Sequence, residues 1–310
     1  RQLSLAKVFG VEAEAVTNNE IESIYPGINM DGVFSGVFVK NDGQADPSNI
    51  TLALAKGARM NGVKIFEDTK IVEVLSSSGE VNAVKVMDKN NEKFEINTKI
   101  IINCAGMWSR ELAQKNNINL PIHACEHFYI VTEPIANLQQ LPVLRVIDEC
   151  AYYKEDAGKI LLGAFEPKAK PWGMNGIQED FCFDQLPEDF EHFEPILEKA
   201  INRFPLLKEV GIHTFFNGPE SFTPDNKYYL GEVPELKGYW VAAGYNSVGI
   251  VSSGGAGMAI AKWITDGKPP FDLWDVDVRR AQPFQKNKNY LKERVSETLG
   301  LLYADHFPYR

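Results

Sequence analysis

Long apolar runs are missing from this 310-residue chain: nothing in it approaches the ~18 uninterrupted apolar residues that cross a bilayer. No signal-peptide pattern follows Arg1. There are only four cysteines, at positions 104, 125, 150 and 182, and no two form a C-x-x-C pair. With five scattered histidines they make no zinc spacing, so no metal site is expected. The thiols read as small buried hydrophobes of a reducing compartment. An excess of basic charge is also lacking. The 32 Lys and Arg against 42 Asp and Glu leave a net charge of −10, which argues against non-specific nucleic-acid binding through phosphate neutralisation. Internal repeats, low-complexity tracts and flexible linkers are absent. What is present is ordinary for an enzyme: 44% hydrophobic, 24% charged and 11% aromatic residues. At ~150 residues per domain the length predicts about two domains.

Asp46-Pro47 reads as an N-cap followed by proline at the first helical position, predicting a helix over Ser48 to Asn61 that stops at Gly62. Short strands follow at Val63 to Phe66 and Lys70 to Val74. Val81 to Asp88 and Lys93 to Asn97 complete a β-meander. Lys99 to Asn103 is a continuous apolar run of the kind buried on both sheet faces. It ends in Cys104-Ala105-Gly106-Met107-Trp108-Ser109, with Ser109 placed to cap a helix through Gln114. From 121 to 183 the pattern changes. His127 to Thr132, Ala151 to Lys154, Lys159 to Phe165 and Gln178 to Phe183 suggest an antiparallel sheet, followed by a helix over about Glu188 to Arg203. Asn217 to Asn226 reads as a Gly- and Pro-rich loop. Then Tyr239 to Ala243 is a buried-type strand, Gly244 to Gly249 a turn, and Gly254 to Thr265 a helix rich in small residues. The fold class is therefore mixed α/β: α/β pieces at both ends, with an antiparallel sheet inserted between them.

Two strand–turn–helix sites have the make-up to hold a flat or anionic ligand. At Cys104-Ala105-Gly106, small residues let a ligand reach the backbone. At Gly244-Tyr245-Asn246-Ser247-Val248-Gly249-Ile250, N–H groups at a helix start can face a carbonyl or an anion. Each pattern serves packing as readily as binding. No G-x-G-x-x-G is found anywhere, so a complete dinucleotide fingerprint is missing. Either the ligand is not a dinucleotide, or the opening βαβ unit lies upstream of Arg1.

The residues carry a resemblance that chooses between these. Val39 to Val74, with Asp42-Gly43-x-x-Asp46-Pro47, and Asn103 to Trp108 resemble segments of the D-amino-acid-oxidase-type FAD oxidoreductases. Within that superfamily the chain is most similar to the dimethylglycine and sarcosine dehydrogenases. The likeness rests on Glu126 to Thr132, Tyr152-Tyr153, Asn217 to Asp225 and Gly244 to Ile250. Glu297 to Arg310 resembles the lead-in to that family's tetrahydrofolate-binding half. The likeness covers nearly the whole chain, which looks like a central fragment without the N-terminal G-x-G-x-x-G unit and the C-terminal folate domain. It implies an incomplete Rossmann-like FAD-binding domain at 41–112 and 216–272. An antiparallel-sheet substrate domain is implied at 113–215, together with 20–40, and a connector at 273–310.

The resemblance implies FAD, covalently or non-covalently held; the histidine that many members link to it lies outside this chain. Tetrahydrofolate is expected only on the absent domain. The implied reaction is oxidative demethylation of dimethylglycine or sarcosine by hydride transfer to flavin N5, with oxygen or an electron-transfer flavoprotein as acceptor and no nucleic-acid or membrane partner. His127 is the candidate to orient or deprotonate the amine and Tyr152 the candidate to hydrogen-bond the substrate or the flavin; Tyr153 points to the opposite face of a regular strand. The implied cofactor contacts are Val72 through its backbone, Ala105, Gly106, Trp108, Gly244, Asn246, Ser247, Val248, Gly249 and Ile250. His123 and Arg145 read as structural. The expected compartment is bacterial cytoplasm or mitochondrial matrix. The alternatives are another oxidase of the superfamily, or a non-catalytic regulatory subunit of the same fold, like the pyruvate dehydrogenase phosphatase regulatory protein.

Overall fold

A computed structural model describes residues 2–304. In chain order the elements are α1 (Gln2–Phe9), β1 (Glu14–Val16), α2 (Asn18–Ile24), β2 (Gly36–Phe38), α3 (Pro47–Met60), β3 (Lys70–Ser77), β4 (Glu80–Met87), β5 (Lys93–Asn97), β6 (Ile101–Asn103), α4 (Ser109–Gln114) and β7 (His123–Thr132). They continue with β8 (Leu144–Val146), β9 (Ala151–Asp156), β10 (Lys159–Ala164), β11 (Pro171–Trp172), α5 (Phe190–Arg203), β12 (Ile212–Phe222), β13 (Tyr229–Glu232), β14 (Tyr239–Ala243), α6 (Gly249–Asp266) and α7 (Lys288–Leu301).

The ten-residue β7 organises the substrate side of the molecule. It pairs antiparallel with β10, β11 and β12, and β9 and β8 extend the sheet beyond β10. Its side chains alternate in the period of two that a pleated strand imposes. Phe128 and Ile130 point into a core shared with Tyr153, Leu162, Phe193 of α5 and Tyr25. Tyr25 meets Phe204 edge-on with ring centroids 5.4 Å apart, which ties the segment after α2 to this core. Each such buried aromatic contributes roughly 1.5–3 kcal/mol. The opposite face of β7, with His123, His127 and Tyr129, turns toward two cavities. α7 closes the flank with Leu291, Val295 and Leu299 buried, and the Cys125 thiol donates to the Val295 carbonyl at 3.4 Å.

The α/β part is a three-stranded sheet in the order β13, β14, β6, with β6 parallel to β14. The meander of β3, β4 and β5 packs beside it. α3 starts as expected: the Asp46 carboxylate accepts from the Asn49 N–H at 2.7 Å and Pro47 is the first helical residue. Residues 305–310, the tail of the segment resembling a folate-domain lead-in, lie outside the described residues.

Several expectations are corrected. Val63 to Phe66 forms no strand, since none of the described residues pairs with it. Ile100 and Ile102 are exposed, not buried on both faces, since β6 pairs with β14 alone among the described residues. Ser109 does not cap α4; Trp108 occupies the N-cap, and the Ser109 hydroxyl is buried without a partner. Gln178 to Phe183 is irregular. Much of the presumed Asn217–Asn226 loop belongs to β12, so the antiparallel sheet runs through Phe222, beyond the 215/216 division drawn from sequence. Of the cysteines, Cys104 and Cys182 are exposed and only Cys125 is fully buried.

Candidate active site

A cavity of about 390 Å³ opens beneath β7, between the short turn at Met107 and Trp108 and the strand pair β7–β12. Trp108, Tyr129, Tyr152, Phe181, Phe183 and Phe216 supply aromatic walls. Glu220 and Asp184 are its carboxylates, and no Lys or Arg lines it among the described residues. The strand pairing explains how these groups meet. Antiparallel partners share a face: Tyr129 lies opposite Phe216, with rings stacked at 4.6 Å, and His127 lies opposite the bare Gly218. Tyr152 sits on β9 and its ring lies over Gly163 of β10, where an added Cβ would stand 2.0 Å from the ring. Tyr153, one residue on, is buried in the opposite core, as alternation requires.

His127 is 8% exposed and bonds at both ring nitrogens. Nδ1 meets Glu220 Oε2 at 2.7 Å, and Nε2 meets the Ala164 carbonyl at 2.9 Å. Two acceptors on two nitrogens call for the doubly protonated ring. Burial works against that charge. The hydrogen bond and charge of Glu220, the charge of Glu166 and the Ala164 carbonyl outweigh it and hold the histidine above its usual range. Burial likewise opposes ionisation of Glu220, but the bond to His127, its charge and the Ser247 hydroxyl keep the carboxyl below the usual carboxylate range. The Glu220 side chain is 42% exposed, so this ion pair stands at the cavity wall and not in the core. His127 therefore has no free lone pair for a substrate proton. Of the two roles expected from sequence, orienting or deprotonating the amine, this geometry leaves no nitrogen for the second and makes His127 the ion-pair partner of Glu220. The Tyr152 phenol, its pKa pushed up by burial and then by Tyr303, Glu220 and Tyr129, stays neutral and is a donor.

Of the residues named from sequence, the cavity brings together Trp108, His127, Tyr152 and Ser247. Trp108, at 40% exposure, is a wall residue of the cavity. Asn246 is buried with its amide spent inward: Oδ1 accepts from the Thr223 N–H at 2.8 Å and Nδ2 donates to the Gly244 carbonyl at 2.8 Å, so its side chain braces the turn. Gly244, at φ +75°, has no room for a Cβ, which would fall 2.6 Å from Thr223 Cγ2. Val72 sits where the β3–β4 register shifts, and its carbonyl already accepts from Lys115 Nζ at 2.9 Å, away from the cavity. Ala105, Gly106, Val248, Gly249 and Ile250 border the turns but do not line the cavity. Arg145 lies over the Tyr303 ring at 4.5 Å, a structural role as expected. Sequence reasoning missed Glu220, Tyr129, Phe216, Phe181 and Phe183 as lining residues. The signal for Tyr129 was its place two residues beyond His127 on one strand.

Residues 1–263 match the FAD dependent oxidoreductase family, and residues 266–310 match the FAD dependent oxidoreductase central domain. The chain belongs to the FAD-dependent oxidoreductases. It is 37% identical over 300 residues to 4-methylaminobutanoate oxidase (formaldehyde-forming) of Paenarthrobacter nicotinovorans, covering 96% of this chain and 36% of the relative. It is 32% identical over 310 residues to the mitochondrial sarcosine dehydrogenase of Homo sapiens, covering 100% and 34%. The mitochondrial pyruvate dehydrogenase phosphatase regulatory subunit of Mus musculus is 34% identical over 304 residues, covering 97% and 34%. The chain thus spans about a third of the length of the curated relatives it matches. Among solved structures, L-proline dehydrogenase from P.horikoshii superposes with a TM-score of 0.77 at 25% identity, covering 90% of this chain and 71% of that one. No helix among the described residues is long and apolar enough to cross a membrane, and no His, Cys, Asp and Glu group there has the make-up of a metal site.

The residues present fit one side of a bound FAD. Gly106, at φ +55°, has nothing within 4 Å of where a Cβ would stand, so its backbone is open to close approach. α6 begins without a side-chain cap at Val248, which leaves N–H groups of its first turn available to a ring carbonyl.

Proposed function

We propose that this chain forms the substrate-facing wall of an FAD-dependent amine oxidoreductase that oxidises an N-methylated amino acid at its N-methyl carbon. The observation that carries this reading is the composition of the 390 Å³ cavity: six aromatic side chains, an ionised Glu220 and no basic residue besides the paired His127. Aromatic faces with a carboxylate suit a methylammonium group, which the ring quadrupoles attract. A carboxylate-only ligand is disfavoured there by like charge. Relatives whose names carry N-methyl amine chemistry, sarcosine dehydrogenase and 4-methylaminobutanoate oxidase, support the same class.

When bound, FAD supplies the two-electron acceptor for hydride leaving the methyl carbon. The chain's own residues act around that event. Glu220 binds and orients the ammonium; the N–H proton must leave before the nitrogen lone pair can expel hydride, and it leaves to solvent, because Glu220, held below the usual carboxylate range, is a weak base. His127 keeps Glu220 ionised through Oε2. Tyr152 donates its phenolic proton to fix the substrate. Trp108, Tyr129 and Phe216 present their ring faces to the methylammonium. Trp108, Gly106 and the first turn of α6 would hold the flavin edge. The resulting iminium would be hydrolysed to formaldehyde and the demethylated amine, or would give its methylene carbon to tetrahydrofolate on a companion domain and release the amine; oxygen or an electron-transfer flavoprotein would take up the two electrons from FAD.

The test is anaerobic addition of sarcosine, dimethylglycine or 4-methylaminobutanoate to the full-length FAD-loaded protein while the visible flavin band is followed. Rapid bleaching by at least one of them is expected. A yellow protein that none of them bleaches would overturn the assignment and favour the regulatory reading that the phosphatase-subunit relative suggests.

A further inference from the structure

A second cavity, of about 260 Å³, lies at the other end of the same face of β7. Its make-up is the reverse of the first. Arg110, on α4, projects into it half-buried, with no hydrogen bond or ion pair to any described residue. Lys288, the first residue of α7, reaches it from the other side and is equally unpaired among the described residues. The one acid in the lining, Glu111, already accepts from the Ile177 N–H through Oε1 at 2.8 Å. His123, 5% exposed, faces Met174 Sδ, and burial together with Arg110 and Lys288 lowers its pKa to about 4. It is thus neutral near pH 7 and leaves the lining with a formal surplus of one positive charge. In a chain of net charge −10, two unpaired cations converging on one concavity stand out. A half-buried guanidinium without an acceptor is costly, and an anion entering the cavity would relieve that cost.

We propose that this cavity binds a small carboxylate anion, with the Arg110 fork on the carboxylate and Lys288 as the second charge. The planar fork of Arg110 matches two carboxylate oxygens. Met107 and Ile122 offer apolar wall for a short methylene chain. A volume of 260 Å³ is below the ~300–1,000 Å³ of sites for drug-sized ligands, which limits the guest to a few carbons. Met107 is the one lining residue the two cavities share. His123 and His127 stand four residues apart on β7, roughly 13 Å at ~3.3 Å per residue. That span is too long for a single glycine derivative to place its nitrogen in one cavity and its carboxylate in the other. The anion site is therefore separate from the amine site and does not depend on the amine-oxidation reading.

The test is calorimetric titration of the full-length protein with succinate, and with inorganic phosphate as the competing oxyanion. Saturable one-to-one binding of succinate is expected, with phosphate weaker and added salt lowering both affinities. Arg110→Met should weaken succinate binding about tenfold or more, and Lys288→Met, at an exposed position, roughly threefold. Labelled methionine methyls should report succinate at Met107 and Met174. Phosphate binding tighter than succinate would overturn the carboxylate assignment. Succinate failing to bind, binding without moving the Met174 methyl, or binding Lys288→Met and any folded Arg110→Met as tightly as the wild type would overturn the site.

Discussion

His127 and His123 stand four residues apart on one strand, on one face, both nearly buried, and they end in opposite charge states. Burial pushes both the same way, toward the neutral ring. The neighbours decide the outcome. At His127 the groups within reach are Glu220, Glu166 and a carbonyl, and protonation wins; at His123 they are Arg110 and Lys288, and neutrality is reinforced. One strand thereby lines an acidic, aromatic cavity suited to a cation and, at its other end, a basic cavity suited to an anion. A buried histidine read from sequence carries no charge assignment until its partners are known, and those partners come from β12, β10, α4 and α7, far away in the chain.

The sharpest way to break the contrast is Glu220→Gln. It removes the counter-charge that keeps His127 protonated and leaves the amide to compete for the same ring nitrogen. Amine-driven flavin bleaching is expected to slow by about 100-fold, the range of a substrate that has lost its orienting partner. Stability should fall by only about 1–2 kcal/mol, because the partly exposed carboxylate is screened. A variant that bleaches within a few fold of wild type would remove Glu220 from the chemistry. Next in size is Gly163→Ala. The new methyl would stand 2.0 Å from the Tyr152 ring and must displace it, while His127 and Glu220 keep their bond. Overpacking should destabilise by about 1–3 kcal/mol, and misplacement of the phenol should cost roughly tenfold in bleaching rate. A full-rate variant with normal affinity for amine would mean the phenol does not position substrate.

Much of the fold was legible because its signals are local. Asp46-Pro47 marks the start of α3, alternation marks β3 to β5, and the apolar Tyr239 to Ala243 run followed by Gly244 marks β14 and its turn. The cavity was half legible. His127, Tyr152, Trp108 and Ser247 came from motifs, but Glu220 was hidden inside a segment that reads locally as a loop. Asn217, Gly218 and Pro219 are turn formers by propensity. The ten-residue β7 nonetheless recruits them into β12, and the outer position of that strand tolerates a proline without an N–H to donate. The reverse error came at Val63 to Phe66, which has β-forming residues but no partner strand among the described residues. Asn246 shows a third kind of limit: its position in the turn was right, but whether its amide faces a ligand or Thr223 depends on a contact 23 residues away.

The finest test of the contrast is its pH dependence, since the two rings predict limbs of opposite sign. His127 is held above 6.5, so its contribution to stability is complete below about pH 6.5 and is lost as pH rises through its folded value. Glu220, held below 4.5, contributes fully above about pH 4.5 and loses that contribution as pH falls through its own folded value. His123 is lowered from 6.5 to about 4, so the fold favours its neutral form, and that contribution is complete above pH 6.5 and disappears as pH falls toward 4. Imidazole NMR at about pH 5.5 should therefore find His127 doubly protonated and His123 neutral. In denaturation midpoints followed against pH, His123→Gln should flatten the fall on the acid side between about 6.5 and 4, whereas His127→Gln should flatten the alkaline decline. If both substitutions flatten the same limb, the two rings share one environment, and the division of β7 into a cation-binding and an anion-binding end is wrong.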